Sequence, residues 1–506
     1  MFKKGQEAEL YIEDISDQGQ GIGKIDGFAV FVQGAVPGDR VKCVLTKVKK
    51  NFAFAKLVDI LEASSYRVKP SCPNYYECGG CDFGEINYEG QLKIKEKQVK
   101  DKLFRIGGID PEKVKKIMPM ENNFYYRNKV VMQISTGGKT VRKRGITENH
   151  EKPSVGFFKR KTHDVVDCGE CILQNPSAIA AAKAMRRFLE DNNITAWDEN
   201  RQQGLMKQMT VKTAITTGEV MVIIKINGNK IPDCEKLIYL MDEYIDGVNY
   251  SLESVYIDNN KDLVNVAGKR VIIEDFGNIR YEISPMSFYQ VNPVMTVKMY
   301  DKVREYADMK GNETLLDLYC GVGSIGLWCA DDAKNILGIE AEHSAILDAN
   351  RNAVINRIVH VRYIRGKAEK VIKELVCEQK NDPIAANKYD SDIIKMAKKA
   401  NTVIVDPPRS GCHKDLLDTI VEVAPEKIVY VSCDPATLAR DIKILTNNGY
   451  EFVEGTPFDV FCHTRHVETV ALLSKLDVDK HINIEIKLDE LDLTSAESKA
   501  TYAQIK

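Results

Sequence analysis

Hydrophobic and polar positions change rhythm three times along the chain. Over the first 66 residues the period is two. Leu10, Ile12 and Ile15 alternate with polar neighbours, Gly19, Gly21 and Gly23 punctuate a turn, Phe28 to Val32 forms a second run, and Val36-Pro-Gly-Asp39 turns again. Short alternating runs separated by glycine-rich turns predict a small β-barrel. Glu89 to Ile106 then carries Leu92, Val99 and Leu103 at helical spacing and stops at Gly107-Gly108, which predicts a lysine-rich amphipathic helix with its lysines on the solvent side. Residues 110–280 read as mixed α/β with β-rich ends.

From about Ser284 apolar strands and helices alternate. Thr314 to Tyr319, Asn335 to Ile339, Val403 to Val405, Ile428 to Val431 and Thr469 to Leu473 are short apolar runs, and Ala436 to Asn448 is helix-like. That rhythm predicts an open α/β sheet, whose ligands meet the carboxyl ends of its strands. Residues 376–400 interrupt it as an inserted surface loop with a short helix. Residues 475–506 form a highly charged appendage in which Thr494-Ser-Ala-Glu497 has the form of a capping box. The expected architecture is multidomain: a barrel over 1–66, an α+β central domain over 67–283, an α/β domain over 284–474 and the appendage over 475–506.

Composition narrows the class. At 506 residues, 44% hydrophobic and 28% charged, the chain has the make-up of a soluble multidomain protein. A net charge of −2 means that any nucleic-acid surface is a local basic patch. Arg40, Lys42, Lys47, Lys49, Lys50 and Lys56 around Phe52 and Phe54 form one such patch, suited to single-stranded RNA or to a solvated barrel face. Tyr126 to Lys129, Lys139 to Arg144 and Lys159 to Lys161 are others. No apolar run reaches membrane-spanning length, and the first ten residues lack a signal-peptide core, so a cytoplasmic location is expected. Thirteen cysteines in such a chain point to metal or catalysis before disulfides.

Three strand ends carry chemistry. Ile428 to Val431 leads to Ser432-Cys433, Val403 to Val405 leads to Asp406-Pro-Pro-Arg409, and His466-Val-Glu468 opens the last strand. A thiol and two carboxylates at one sheet edge suit nucleophilic attack with proton removal. Gly321-Val-Gly-Ser-Ile-Gly326 is a glycine loop preceded by Asp317, with Glu340 placed to bond a ribose hydroxyl. The loop alone allows NAD, but Asp317 before it and the later Asp-Pro-Pro fit S-adenosylmethionine. Arg409 stands where amino methyltransferases carry an aromatic side chain, which turns the reading from an exocyclic amine toward a ring carbon. Cys72, Cys78 and Cys81 are close enough in sequence to share a metal centre. Three clustered thiols and a remote fourth are more usual for a [4Fe–4S] cluster than for zinc, with Cys168 and Cys171 as remote candidates.

Two sets of motifs carry a family resemblance. Gln18-Gly-Gln-Gly-Ile-Gly23 and Val36-Pro-Gly-Asp-Arg-Val41 resemble a TRAM domain, an RNA-binding barrel of the OB type. Together with Cys72/Cys78/Cys81, Ser287-Phe-Tyr-Gln-Val-Asn292, Asp317-Leu-Tyr-Cys-Gly-Val-Gly323, Asp406-Pro-Pro-Arg409, Ser432-Cys433 and His466-Val-Glu468, they make residues 1–474 resemble the RNA 5-methyluridine methyltransferases of the cluster-containing 23S ribosomal RNA type. The resemblance implies a TRAM barrel, a central domain with a [4Fe–4S] site and a Rossmann-like methyltransferase domain. It implies Cys433 as nucleophile and Glu468 as base. Gln290, Tyr319 and Glu340 become cofactor contacts, and Asp406 a contact to cofactor or substrate. Cys72, Cys78, Cys81 and Cys171 become the cluster ligands. Ser324 stands where some members use an asparagine. The implied cofactors are S-adenosylmethionine and the cluster, and the implied partner is 23S ribosomal RNA. A transfer-RNA enzyme of the same chemistry, a non-catalytic RNA-binding assembly protein, and an iron–sulfur redox or NAD enzyme are the competing readings. The sequence leaves the oligomeric state open.

Overall fold

The computed structural model describes residues 2–135, 140–143, 146–149, 153–198, 201–376 and 388–476. Strands β1 (Glu7–Ile15), β2 (Gln20–Ile25), β3 (Phe28–Gln33), β4 (Arg40–Val48) and β5 (Phe52–Glu62) close into a barrel in the order β1-β2-β3-β5-β4. The alternation seen in sequence is its cause. Leu10, Ile12, Val30, Val32, Val41 and Leu45 fill the interior while their neighbours face out, and closure leaves no unpaired strand edge. The Val36 to Asp39 turn is tied to the next segment through fully buried Asp39, which accepts from Val36 N at 2.8 Å and from Arg67 Nε at 3.1 Å.

Helix α1 (Tyr88–Lys102) is capped by Asn87 and runs into a π-helical turn that ends at left-handed Gly108. Its lysines are not all solvent-facing: Lys95 is fully buried. Next come β6 (Lys129–Ser135), β7 (Thr140–Lys143), β8 (Ile146–Asn149), β9 (Ser154–Phe158), β10 (Val165–Asp167), α2 (Pro176–Asn192), β11 (Met206–Thr213), β12 (Glu219–Ile226), α3 (Cys234–Asp246), β13 (Ser251–Asp258) and β14 (Leu263–Gly268). A seven-stranded sheet runs β10-β9-β6-β11-β12-β13-β14, and β7 and β8 form a two-stranded sheet. Apolar faces of α2 and α3 (Ala181, Met185, Phe188, Leu237, Met241) pack with Val211, Val222 and Ile224 of the sheet.

Single residues of two basic stretches turn inward. Asn128 is buried and Arg127 Nε meets no hydrogen-bond partner in the interior. Arg160 donates to the carbonyls of Cys78 and Cys81. A guanidinium spent on backbone carbonyls is not presented to phosphate. The span from Lys139 to Arg144 falls partly outside the described residues.

A hairpin, β15 (Ile272–Phe276) and β16 (Ile279–Ile283), leads into α4 (Pro293–Ala307), β17 (Thr314–Leu318), α5 (Ser324–Trp328), β18 (Asn335–Glu340), α6 (His343–Ile355), β19 (Val361–Arg365), α7 (Ala368–Val376), α8 (Ser391–Lys398), β20 (Thr402–Val405), α9 (Lys414–Val423), β21 (Lys427–Ser432), α10 (Pro435–Thr446), β22 (Tyr450–Phe458) and β23 (Glu468–Lys475). Their sheet order is β19-β18-β17-β20-β21-β23-β22. The first five strands are parallel and β23 is antiparallel to both its neighbours. Burial on both faces explains why the parallel strands read as unbroken apolar runs. The order reverses at β17, and the crevice beside such a switch point is where ligands bind. Within the 376–400 stretch, Ile393, Ile394 and Met396 of α8 pack onto the core, so this part is more than a surface loop. Residues 377–387 and 477–506, with the Thr494 capping box, lie outside the described residues. Among the described residues no helix is long and apolar enough to cross a membrane.

Candidate active site

One cavity of about 1410 Å³ opens at the carboxyl ends of the parallel strands, and Gln290, Tyr319, Glu340, Asp406, Cys433 and Glu468 all line it. Its floor follows β17. Asp317, fully buried on that strand, accepts from Gly326 N at 2.9 Å. Gly326 admits no side chain, because a Cβ there would sit 2.8 Å from the same carboxylate. Tyr319, Gly321 and Gly323 take left-handed backbone angles (φ 65, 56 and 79°), folding the loop back along the cavity that Tyr319 and Gly321 line. Glu340 ends β18 and accepts from Gly321 N at 3.1 Å and Glu342 N at 2.8 Å. The acid at the second strand end is thus locked to the glycine loop, with remaining lone pairs for a diol. Gln290 is anchored through its carbonyl, which accepts from Asn128 Nδ2 at 3.0 Å. Ser324 Oγ pairs with Tyr300 OH at 2.8 Å, so the serine is engaged with a core tyrosine.

Opposite this half stand the thiol and the acids. Cys433 follows β21 and precedes α10, whose cap, Asp434, accepts from Ala436 N and Thr437 N. Asp406 follows β20, with its amide on Leu318 O. Because β23 runs antiparallel to β21, the start of β23 lies at the same sheet edge as the end of β21, and this puts Glu468 beside Cys433. Burial pushes the Glu468 carboxyl up to about 8, aided by Asp406 and opposed by Arg409. Burial alone pushes Asp406 up to about 7. Burial, then Glu468 and Asp406, push the Cys433 thiol up to about 12, again against Arg409. A neutral thiol and two easily protonated acids around one guanidinium form a site able to take up and release protons near neutral pH. A cation entering the cavity would favour each negative charge.

The cysteines gather elsewhere. The charges of Cys72, Cys78 and Cys81 are each felt by or from Cys171, which puts these four thiols in one neighbourhood. Cys168, which also feels Cys171 and Cys78, is buried with its sulfur 3.2 Å from Met132 Sδ. Asn74 Nδ2 donates to Asp167 O at 3.1 Å and Gly79 N to Phe158 O at 3.1 Å, which joins the two cysteine segments. Among the described residues no group of three or more His, Cys, Asp or Glu is arranged to hold a metal ion as it stands.

The comparisons agree with this architecture. Residues 254–476 match the family model of tRNA (Uracil-5-)-methyltransferase and residues 2–58 that of the TRAM domain. A relative from Clostridium tetani, named an uncharacterized RNA methyltransferase, is 38% identical over 477 residues, covering 93% of this chain and 97% of its own. One from Caldanaerobacter subterraneus, named likewise, is 39% identical over 480 residues, covering 94% and 99%. The crystal structure of Pyrococcus abyssi tRNA (uracil-54, C5)-methyltransferase in complex with S-adenosyl-L-homocysteine is similar at 28% identity and a TM-score of 0.68, over 92% of this chain and 99% of that one. A TRAM barrel thus precedes an S-adenosylmethionine-dependent methyltransferase fold. The chain belongs to the RNA (uracil-5-)-methyltransferase family and is an enzyme of that class.

Sequence reasoning gave no role to Phe461, which lines the same cavity. It also passed over the interior polar residues behind it, Gln91, Lys95 and Asp459, all fully buried. A lysine in a lysine-rich helix carries no local sign that it points inward.

Proposed function

We propose that this enzyme methylates C5 of a specific uridine in 23S ribosomal RNA through a covalent adduct. The observation that carries the reading is that Cys433, Asp406 and Glu468 share one cavity with the glycine loop and Glu340. Uracil C5 is a weak nucleophile. The Cys433 sulfur loses its proton to solvent and adds as thiolate to C6, and the C5=C6 electrons move onto C5 and O4. C5 then takes the methyl group of S-adenosylmethionine, whose S–CH₃ bond breaks to leave S-adenosylhomocysteine. Glu468 removes the C5 proton, the C5=C6 bond re-forms, and the thiolate leaves. Splitting the reaction this way replaces one difficult step by two easier ones. Asp406 holds the uracil edge or the cofactor, while Gln290, Tyr319 and Glu340 hold the cofactor. Arg409 supports the negative charges.

A base within folded RNA must be splayed out to reach such a cavity. The barrel, with Phe31, Phe52 and Phe54 ring centroids 5.5–5.7 Å apart on its surface, offers a stacking platform for flanking nucleotides. The cysteine spacing and the family resemblance support a [4Fe–4S] cluster on Cys72, Cys78, Cys81 and Cys171, with Cys171 rather than Cys168 as the fourth ligand, and these thiols would have to draw together from where they stand to hold it. The cluster would tie the two cysteine segments together, and the proposed methyl transfer needs no electron from it.

A second reading, a transfer-RNA uridine in place of ribosomal RNA, draws on the similarity to the Pyrococcus abyssi enzyme, whose named substrate is tRNA. RNA carrying 5-fluorouridine tests the chemistry for either substrate. Fluorine at C5 cannot be removed as a proton, so enzyme and S-adenosylmethionine should leave a protein–RNA adduct that survives denaturation and is absent with Cys433→Ala. No adduct with any RNA would overturn the covalent route.

A further inference from the structure

The loop from Asp459 to His466 delivers Phe461 and His466 to the cavity wall and ends two residues before Glu468. Its tethers come from distant parts of the chain. Asp459 N donates to Met118 O at 3.1 Å, Tyr126 OH to Cys462 O at 3.0 Å and Asn292 Nδ2 to Val460 O at 2.9 Å. Further tethers come from α1. Lys95 Nζ donates to Asp459 Oδ1 at 2.5 Å and to Phe461 O at 2.9 Å, with Lys95 and Asp459 both at 0% exposure. One turn earlier on the same face, Gln91 accepts from His463 N at 2.9 Å while its amide donates to Ile86 O at 2.8 Å. His463 O accepts from Asp82 N and Phe83 N at 3.1 and 3.0 Å. His463 itself is left-handed (φ 62°) and stacks on Phe124 with ring centroids 5.0 Å apart. A non-glycine residue keeps such a backbone only where its surroundings fix it.

We propose that Gln91 and Lys95 are positioning residues for the methyl-transfer site: a buried polar clamp on α1 that fixes the Asp459–His466 loop and, through it, the place of Glu468. A buried ion pair is a poor way to gain stability, because an apolar pair of like volume does as well or better. Its best-attested use is to select one geometry among several. Here the ammonium bonds a carboxylate and, at the same time, the carbonyl of a cavity-lining residue, so it sets the loop's path and not merely its attachment. The inference rests on the reading of Glu468 as the base that removes the C5 proton.

The test uses the full-length enzyme with its RNA substrate. Lys95→Met alone leaves a buried carboxylate unpaired and is expected to be unstable. Lys95→Met/Asp459→Asn removes both charges and should recover the melting temperature and the upward shift on adding S-adenosylmethionine. In that double variant kcat should fall about 10²-fold, the size expected of a displacement on the order of 1 Å. KM for RNA should be near the wild-type value, and a covalent protein–RNA adduct should accumulate, because the methylated adduct forms but is resolved slowly. Gln91→Ala, which leaves the ion pair intact, should show the same signature in smaller measure and decides the matter if the double variant does not fold. Glu468→Gln run alongside separates the two failures. If it traps adduct while the folded clamp variants turn over at the wild-type rate, or lose turnover without adduct, the clamp is wrong and the base stands. If Glu468→Gln traps none, the base assignment and this inference fall together.

Discussion

Cys433 and Glu468 meet across the last rung of the β21–β23 ladder. Ser432 pairs with Thr469, so the residue after one stands beside the residue before the other. The Glu468 charge is the largest influence after burial on the Cys433 thiol. A thiol and a carboxyl so placed oppose each other's ionisation, and only one is expected to carry negative charge in the empty site. Cys433→Ala should therefore leave the S-adenosylmethionine-induced shift in melting temperature intact while abolishing methyl transfer. Turnover above background by this variant would remove the nucleophile assignment.

Glu468 must be ionised to accept the C5 proton, and its carboxyl is pushed up to about 8. The rate of the proton-removal step should rise with pH up to about 8 and level off above it. Glu468→Gln should hold the reaction at the adduct across this range. Single-turnover kinetics on a pH series check this, and a flat profile from pH 6 to about 9 would contradict it.

The same shift has a stability consequence of defined sign. A carboxyl whose folded pKa is raised binds its proton more tightly in the folded state. Its contribution is complete below the unfolded value, near 4.5, and is lost as pH rises through about 8. Glu468→Gln keeps a neutral side chain at every pH. It should match the wild-type melting temperature near pH 5 and exceed it by roughly a few degrees near pH 9. Calorimetry at the two pH values decides, and a variant less stable than wild type at high pH would count against a buried Glu468 carboxylate.

For the cysteine cluster, protein purified without oxygen should carry iron and sulfide with broad visible absorbance. Cys171→Ser should lose both, while Cys168→Ser, whose thiol packs on Met132, should keep them. Loss with Cys168→Ser and retention with Cys171→Ser would reverse the assignment.

On the barrel, Phe52→Ala should weaken RNA binding by about 1–3 kcal/mol, the usual worth of one stacked base, without changing the affinity for S-adenosylmethionine. Equal losses for both ligands would argue that Phe52 supports the fold and does not contact RNA.

What could be read in the sequence follows from where the physics is local. Parallel strands buried on both faces appear as apolar runs, and their functional side chains sit one or two residues beyond the run's end. The place of Asp406, Cys433 and Glu340 on the cavity wall was therefore legible from position alone. Glu468 was legible because it opens the last run, although the antiparallel turn that brings it to the same edge as Cys433 is a property of topology. The inward course of Arg127 and Arg160 within two stretches read as basic patches was not legible, since a short basic stretch carries no sign of which side packs inward. Lys95, Gln91 and Asp459 were invisible for a related reason: their partners lie more than 360 residues away.

The central claim is C5 methylation of uridine in ribosomal RNA. It is tested most directly by incubating the enzyme with labelled S-adenosylmethionine and separate pools of unmodified 23S ribosomal RNA and transfer RNA, then analysing the nucleosides. The account predicts label in 5-methyluridine from the ribosomal pool. Label in transfer RNA alone would contradict the substrate and keep the chemistry, and label in any nucleoside other than 5-methyluridine would contradict the chemistry itself.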